Sequence, residues 1–399
     1  MITLNTKGYS IKDKQFWIIV LSLSLASMFI FAAFYSFQPL LPVLTDEYGI
    51  SVSSASMTMS IATISLIVGL IVLGFLADRN GRVLFIKLSI LFSIIPMVFI
   101  PFTDSFLILM ILRFIQGFAL AGVPAAALAY IGEEINPKFS HMATAIYIAS
   151  NPLGGMIGRV LTGYFSEIHW QYAFYILTIF GLFVFLFVLF ALPRSKNFMP
   201  SERPFMQDIK SFSFHLANPK LLLMFGLGII LQITFTGVWT YLPFHLTSQQ
   251  FGLSLDSISL IYFAYGFGVI GAPFAGWLSS RYTLDKVRTI AILVLIFGVV
   301  LTITSSLTLV LIGMCILCFG FFTAHSLTAS SVNKTAQHLK GSASSLYLVS
   351  YYIGVASGSS LIGPVWEKWN WSGIITIATI LPFIYLLFFL YMMRKVTVK

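Results

Sequence analysis

The chain has 399 residues, of which 58% are hydrophobic and only 9% are charged. Soluble domains carry about 25% charged residues to keep their surface in water, so this composition excludes a soluble globular protein and requires a surface that faces lipid. The net charge of +10 raises the possibility of a nucleic-acid partner, which the placement of the basic residues rejects.

A helix needs about 20 residues to cross a hydrocarbon core of ~30 Å. Apolar runs of that length recur from Phe16 to Leu41, Val52 to Leu76, Val83 to Phe102, Phe106 to Ile131, Met142 to Tyr164 and Trp170 to Leu192. After a polar stretch, six more run from Leu221 to Leu242, Ser257 to Leu278, Val287 to Ser305, Thr308 to Val332, Ser342 to Val365 and Ser372 to Met393. Backbone groups in lipid must bond within their own segment, so the runs predict twelve transmembrane helices in an all-α polytopic protein. The first run is longer than a signal-peptide core, and no cleavage site follows it.

With the amino terminus placed in the cytoplasm, the basic residues sort to one side. All 23 except Arg113, Arg159 and Lys368 fall in the terminal segments or on cytoplasmic loops and helix ends. The positive-inside rule therefore puts both termini in the cytoplasm, and a multi-pass protein of the cytoplasmic membrane is expected. Trp170, Trp366, Trp369 and Trp371 fall at predicted outer ends, as an interfacial aromatic belt would. Cys315 and Cys318 lie within the tenth span and read as packing residues rather than a metal or redox site.

Ser195 to Pro219 is the one long polar interruption. It suggests an N-terminal six-helix bundle over 1–193, a cytoplasmic linker over 194–220 and a C-terminal six-helix bundle over 221–399. The segment Gly74-Phe-Leu-Ala-Asp-Arg-Asn-Gly-Arg82 follows the second span. A shorter Gly276-Trp-Leu-Ser-Ser-Arg281 follows the eighth, at the equivalent place in the second half. Parallel repeats of this kind suit a transporter that opens one site to each side in turn.

Gly74–Arg82 closely resembles the loop motif of the major facilitator superfamily. That resemblance implies two pseudo-symmetric bundles and a gating motif of Gly74, Asp78, Arg79, Gly81 and Arg82. Glycines permit a tight turn and close helix approach. The resemblance implies that Asp78 meets the start of the eleventh span near Ser342, where a helix dipole favours an anion. Ser280 stands at the equivalent place in the second half, implying a one-sided gate.

Leu112-Arg113-Phe-Ile-Gln116-Gly117 is similar to a second motif of the family, and Ser150-Asn-Pro-Leu-Gly154-Gly155-Met-Ile-Gly158-Arg159 partly resembles its antiporter motif, with Asn151 in place of a glycine before Pro152. The segments Leu120 to Ile135, Gly320 to Ser326 and Lys340 to Gly354 resemble the YnfM-like branch, grouped with drug:proton antiporters. The implied function is proton-coupled efflux, with drug resistance as its setting.

The residues themselves leave alternatives open. Arg113 is expensive in a membrane and is either tied to carbonyls or helps proton transfer or substrate binding. His325 is either a core residue or the carrier of a coupling proton. Glu133 and Glu134 either pair with Arg79 or Arg82, or accept a proton. Further substrate-binding candidates are Tyr35, Gln38, Gln116, Asn151, Arg159, Gln232, Trp239, Tyr265, Tyr347 and Tyr351, with Tyr262 and Tyr352 beside them.

None of the thirteen acids lies mid-span. A buried cation needs a counter-charge, so the expected cargo is a small anionic or neutral organic molecule, moved by alternating access and driven by the proton gradient without a cofactor. The alternative is a proton-linked importer of an organic anion or sugar-like nutrient. An enzyme is not expected, because no nucleophile, acid pair or metal cluster converges at membrane depth. The expected partners are the substrate and the lipid bilayer, with the protein a monomer and no nucleic acid bound.

Overall fold

The computed structural model describes residues 8–202, 205–279, 281–336 and 340–398. Lys7, Arg203, Ser280, Lys399 and the side chain of Lys340 lie outside the described residues. In chain order the helices are α1 Lys14–Tyr35, α2 Leu41–Tyr48, α3 Val52–Asn80, α4 Arg82–Phe99, α5 Phe106–Leu120, α6 Gly122–Glu134, α7 Pro137–His169 and α8 Gln171–Ala191. They continue with α9 Phe205–Leu216, α10 Pro219–Thr247, α11 Leu255–Ile261, α12 Tyr265–Ser279, α13 Leu284–Leu301, α14 Leu307–Thr335, α15 Lys340–Ser360 and α16 Gly363–Val398. Among the described residues the one strand-like feature is an isolated bridge between Tyr9 and Ile135.

Joining α5 to α6 and α11 to α12 gives twelve rods of membrane length among the described residues, as the apolar runs predict. Nine of them are long and apolar enough to cross a membrane by length and composition alone. The other three explain themselves chemically. Helix α7 carries Lys138, Asn151 and Arg159, α13 opens with Asp285, Lys286 and Arg288, and α15 is rich in serine, glycine and tyrosine.

Local chemistry sets the ends and breaks. The side chains of Asn136 and Asn218 cap α7 and α10, each followed by a proline at the first helical position. Both helices therefore start earlier than their apolar runs. Pro39 has no N–H for the Tyr35 carbonyl, so the first apolar run breaks into α1 and α2. Pro124 likewise frees the Leu120 carbonyl where α5 gives way to α6. Gly81 ends α3 at φ +107°, a conformation that L side chains rarely adopt. Asn370 has φ 47° and breaks α16, so Trp366 and Trp371 lie on different helical pieces. The linker over 194–220 contains α9.

By contact clustering, one compact unit gathers the described residues of Met1–Phe37 and Ile64–Glu202, and the other those of Gln38–Thr63 and Arg203–Lys399. In the first, α7 presses on α1: a Cβ at Gly154 would collide with the Met28 backbone, and one at Gly158 with the Ala32 backbone. Two glycines four residues apart lie on one helix face, so the main chains meet directly. Gly69, not Gly74, makes the close approach on α3. A Cβ at Gly69 would stand 2.6 Å from the Phe118 carbonyl oxygen, whereas one at Gly74 would reach Ala125 at an ordinary 3.8 Å. In the second unit, Gly298 and Gly320 allow the same approach between α13 and α14.

The tryptophan belt is corrected in part. Trp369 is exposed, but Trp170, Trp366 and Trp371 are buried. Trp371 donates to the Thr302 carbonyl at 2.9 Å and stacks on His245, while Trp366 stacks on Tyr241. The Trp371 indole thus has its hydrogen-bond partner inside the protein, as a buried tryptophan usually does.

Candidate functional site

In the first unit, Arg113 is fully buried on α5. Its Nη2 donates to the Phe34 carbonyl at 3.1 Å and its Nη1 to the Ala33 carbonyl at 3.5 Å. Nη1 also donates to Gln116 Oε1, and the guanidinium lies 4.3 Å from the Phe37 ring centroid. Ala33 and Phe34 belong to the last turn of α1, whose carbonyls have no partner within their own helix and carry the negative end of its dipole. Arg113 thus caps α1 from a neighbouring helix, the carbonyl-bound alternative.

Arg159 is 2% exposed and rests 3.8 Å from the centroid of Tyr35. About two turns back on α7, Asn151 accepts a hydrogen bond from Ser27 Oγ through Oδ1. Asn151 and Arg159 on α7 and Arg113, with Gln116, on α5 thus each meet α1 separately, at Ser27, at Tyr35 and at the Ala33 and Phe34 carbonyls.

The gating motif lies at the end of this unit where lysines and arginines concentrate. Arg82 pairs with Asp78 and, at 3.1 Å, with Glu133. Arg79 folds back over Phe75 and donates to its carbonyl at 3.0 Å. Glu134 is buried and accepts the backbone N–H groups of Lys196 and Asn197 at 2.6 and 2.9 Å. Ser201 N–H donates to the Asp78 carbonyl at 2.9 Å, and beside them Tyr9 N–H donates to the Glu134 carbonyl at 2.8 Å and Asn136 N–H to the Tyr9 carbonyl at 3.1 Å. The start of the linker is thus laced onto the motif. Lys196, at the surface, is held above the usual lysine pKa by the Tyr9 hydroxyl.

In the second unit the candidates form a chain of rings. Trp239 on α10 stacks on Tyr262 at 5.0 Å and meets Tyr265 at 4.7 Å. Phe235 stacks on Phe321 at 3.9 Å, and Phe321 lies parallel to His325. His325 Nδ1 and the Tyr347 hydroxyl are 2.9 Å apart, with Tyr351 against the same imidazole. Tyr352 meets Tyr351 edge-on. Gln232 Nε2 donates to Thr236 Oγ1 at 3.0 Å. Gln38, assigned by sequence to the first half, belongs to this unit, where its Nε2 donates to Thr240 Oγ1 at 3.2 Å.

Two features escape the sequence. Arg288, counted among the loop cations, is 1% exposed, paired with Asp285 and bonded to Ser331 Oγ at 3.1 Å. Its three-residue spacing from Asp285 is the available signal. The segment 38–63 joins the second unit through Ser60 and Ser359, 2.7 Å apart, and through Tyr241, whose hydroxyl donates to Ser56 Oγ at 3.3 Å. Nothing in the serine pattern announces that choice of partner.

The Major Facilitator Superfamily profile matches residues 23–359. The chain is 33% identical over 362 residues to an uncharacterised transporter of Buchnera aphidicola subsp. Schizaphis graminum, covering 90% of this chain and 88% of that one. It is also 33% identical over 362 residues to the inner membrane transport protein YnfM of Escherichia coli strain K12, covering 90% and 87%. Its fold is similar to that of the nucleoside transporter NupG, with a TM-score of 0.79 at 15% identity over 94% of this chain and 99% of that one. Helical rods of membrane length, the Gly74–Arg82 loop and these likenesses agree: the chain belongs to the Major Facilitator Superfamily and is a multi-pass membrane protein, a secondary transporter and not an enzyme.

Proposed function

We propose that the protein is a proton-coupled exporter of a small uncharged or anionic organic molecule, working by alternating access across the cytoplasmic membrane with both termini in the cytoplasm. The observation that carries this reading is the charge inventory of the spans. Arg113, Arg159 and the His325–Tyr347 pair lie deep within their helices, whereas Glu133 and Glu134 close α6 and Asp285 opens α13. A lipophilic cation entering such an interior meets no compensating carboxylate. His325 is the one titratable imidazole in this ring chain and is the residue we assign to proton transfer, with the Tyr347 hydroxyl placed to orient it.

Inverted membrane vesicles, acidified inside and loaded with a pH-sensitive dye, test the proposal. Quinaldate as an anion, quinazolinone as an uncharged compound and N-methylquinolinium as a cation are added in turn. Proton release that requires the protein, occurs with the anionic or uncharged compound and disappears in His325→Ala supports the reading. Release with the cation alone, coupling unchanged in His325→Ala, or co-transport of compound and proton in one direction overturns it.

A further inference from the structure

One face of α10 carries Gly228, Gln232, Phe235 and Trp239, at steps of four, three and four residues. Its two polar side chains are buried without full satisfaction. Trp239 is 0% exposed and Gln232 is 1% exposed. Yet the indole N–H of Trp239 finds no acceptor, and Gln232 Oε1 finds no donor, among the described residues. Buried polar atoms are nearly always paired, and an aliphatic residue at either place would pack without that penalty. A donor and an acceptor left open on one helix face point to a ligand that supplies the complements.

The surrounding rings say what shape that ligand has. The rod of α11 and α12 is interrupted by the 3-10 turn Tyr262–Ala264. Residues three apart eclipse in such a turn, which brings Tyr262 and Tyr265 together onto the Trp239 indole. Farther along the face, Phe235 and Phe321 stack at 15° between ring planes. Flat faces that stack on one another readily accept another flat ring in exchange. Gln232 and Trp239 are seven residues apart, or about 10 Å along the helix axis. A fused two-ring system with a hydrogen bond of ~2.9 Å at either end covers that span.

Charge narrows the class further. The acids of this unit whose side chains are described, Asp46, Glu47, Asp256, Asp285 and Glu367, lie in the short helix α2 or at helix ends, and Arg288 is already paired with Asp285. A cationic ring system would be held by π faces alone, with no counter-charge at that depth.

We propose that this face of α10 binds an uncharged, planar heteroaromatic compound that carries both an acceptor, for the Trp239 indole N–H, and an N–H donor, for Gln232 Oε1. The proposal rests on the transporter reading and names the cargo class for the second unit.

The test is thermal stabilisation of the detergent-purified protein by quinazolinone, quinaldate and N-methylquinolinium, which share a two-ring plane and differ in charge. A ligand that binds the folded state raises its melting temperature by mass action. Quinazolinone should stabilise most. Trp239→Phe, which keeps a ring and deletes the N–H, should weaken its apparent affinity about fivefold to tenfold, and Gln232→Leu by a similar factor. If Trp239→Phe does not elute as a folded protein, Gln232→Leu decides the matter. Stronger stabilisation by N-methylquinolinium, or a quinazolinone effect that survives both substitutions, overturns the proposal and marks simple partitioning. Binding with the expected sensitivities but no proton-coupled flux overturns the transport reading and leaves the site standing. Coupled flux of another compound, with quinazolinone binding insensitive to both substitutions, does the reverse.

Discussion

A buried arginine is the most expensive side chain this protein carries, and Arg113 shows how such a residue is kept. It is tied to carbonyls in the last turn of α1, to Gln116 and to the Phe37 ring, so its cost is offset by acceptors and a ring face inside the protein. Replacement by methionine preserves volume and removes the cap. We expect Arg113→Met to destabilise the protein by about 1–3 kcal/mol, read as a lower melting temperature in detergent, with the loss present whether or not substrate is added. Unchanged stability would mean that the arginine serves transport rather than the helix end. The motif around Arg113 was legible in the sequence. Its task was not, because the acceptors come from residues 79 and 80 positions away.

At the scale of elements, the α1–α7 pair depends on backbone contact through glycine. Gly158 has no room for a Cβ against the Ala32 main chain, whereas Gly132 on α6 has nothing within 4 Å of the same position. Gly158→Leu should cost about 1–3 kcal/mol or more, because a backbone cannot yield as a side chain does, and should appear as loss of the monodisperse peak on size exclusion. Gly132→Ala should behave as the parent. Equal behaviour of the two would show that α7 can draw back from α1. The helices were readable from their apolar runs, but α7 and α10 start before the Met142 and Leu221 that open those runs, at the Asn-Pro pairs that cap them. The breaks at Tyr35 and Ala121 were not foreseen, although prolines stood near both, whereas the break at Asn370 falls in the gap between the runs Ser342 to Val365 and Ser372 to Met393. A proline within a long apolar run is also compatible with a kinked, continuous helix.

For the whole molecule, the open question of orientation has a direct test. With Cys315 and Cys318 replaced, single cysteines are introduced by Lys12→Cys, Arg394→Cys and Lys368→Cys. An impermeant thiol reagent added to intact cells should label only the cysteine at 368, and the other two should react after the membrane is opened. The opposite pattern would invert the topology inferred from the basic residues. Either result leaves the fold unchanged, since helix pairing within each unit does not depend on which side is cytoplasmic.

Sequence by itself determined the environment, the helix count and the family. These follow from lengths of apolar chain and from the contiguous Gly74–Arg82 loop, both local properties of the chain. Tertiary structure alone decided which polar groups meet. It put Arg113 on the end of α1, Glu134 on the linker backbone, Arg288 beside Ser331, and Gln38 with Thr240. It also set Trp239 against both Tyr262 and Tyr265 while leaving its N–H and Gln232 Oε1 without partners among the described residues. The physical reason is the same in each case. Lipid-exposed and protein-facing surfaces of these helices are both apolar, so periodicity does not reveal which face turns inward, and a polar atom's partner is set by packing between segments far apart in the chain.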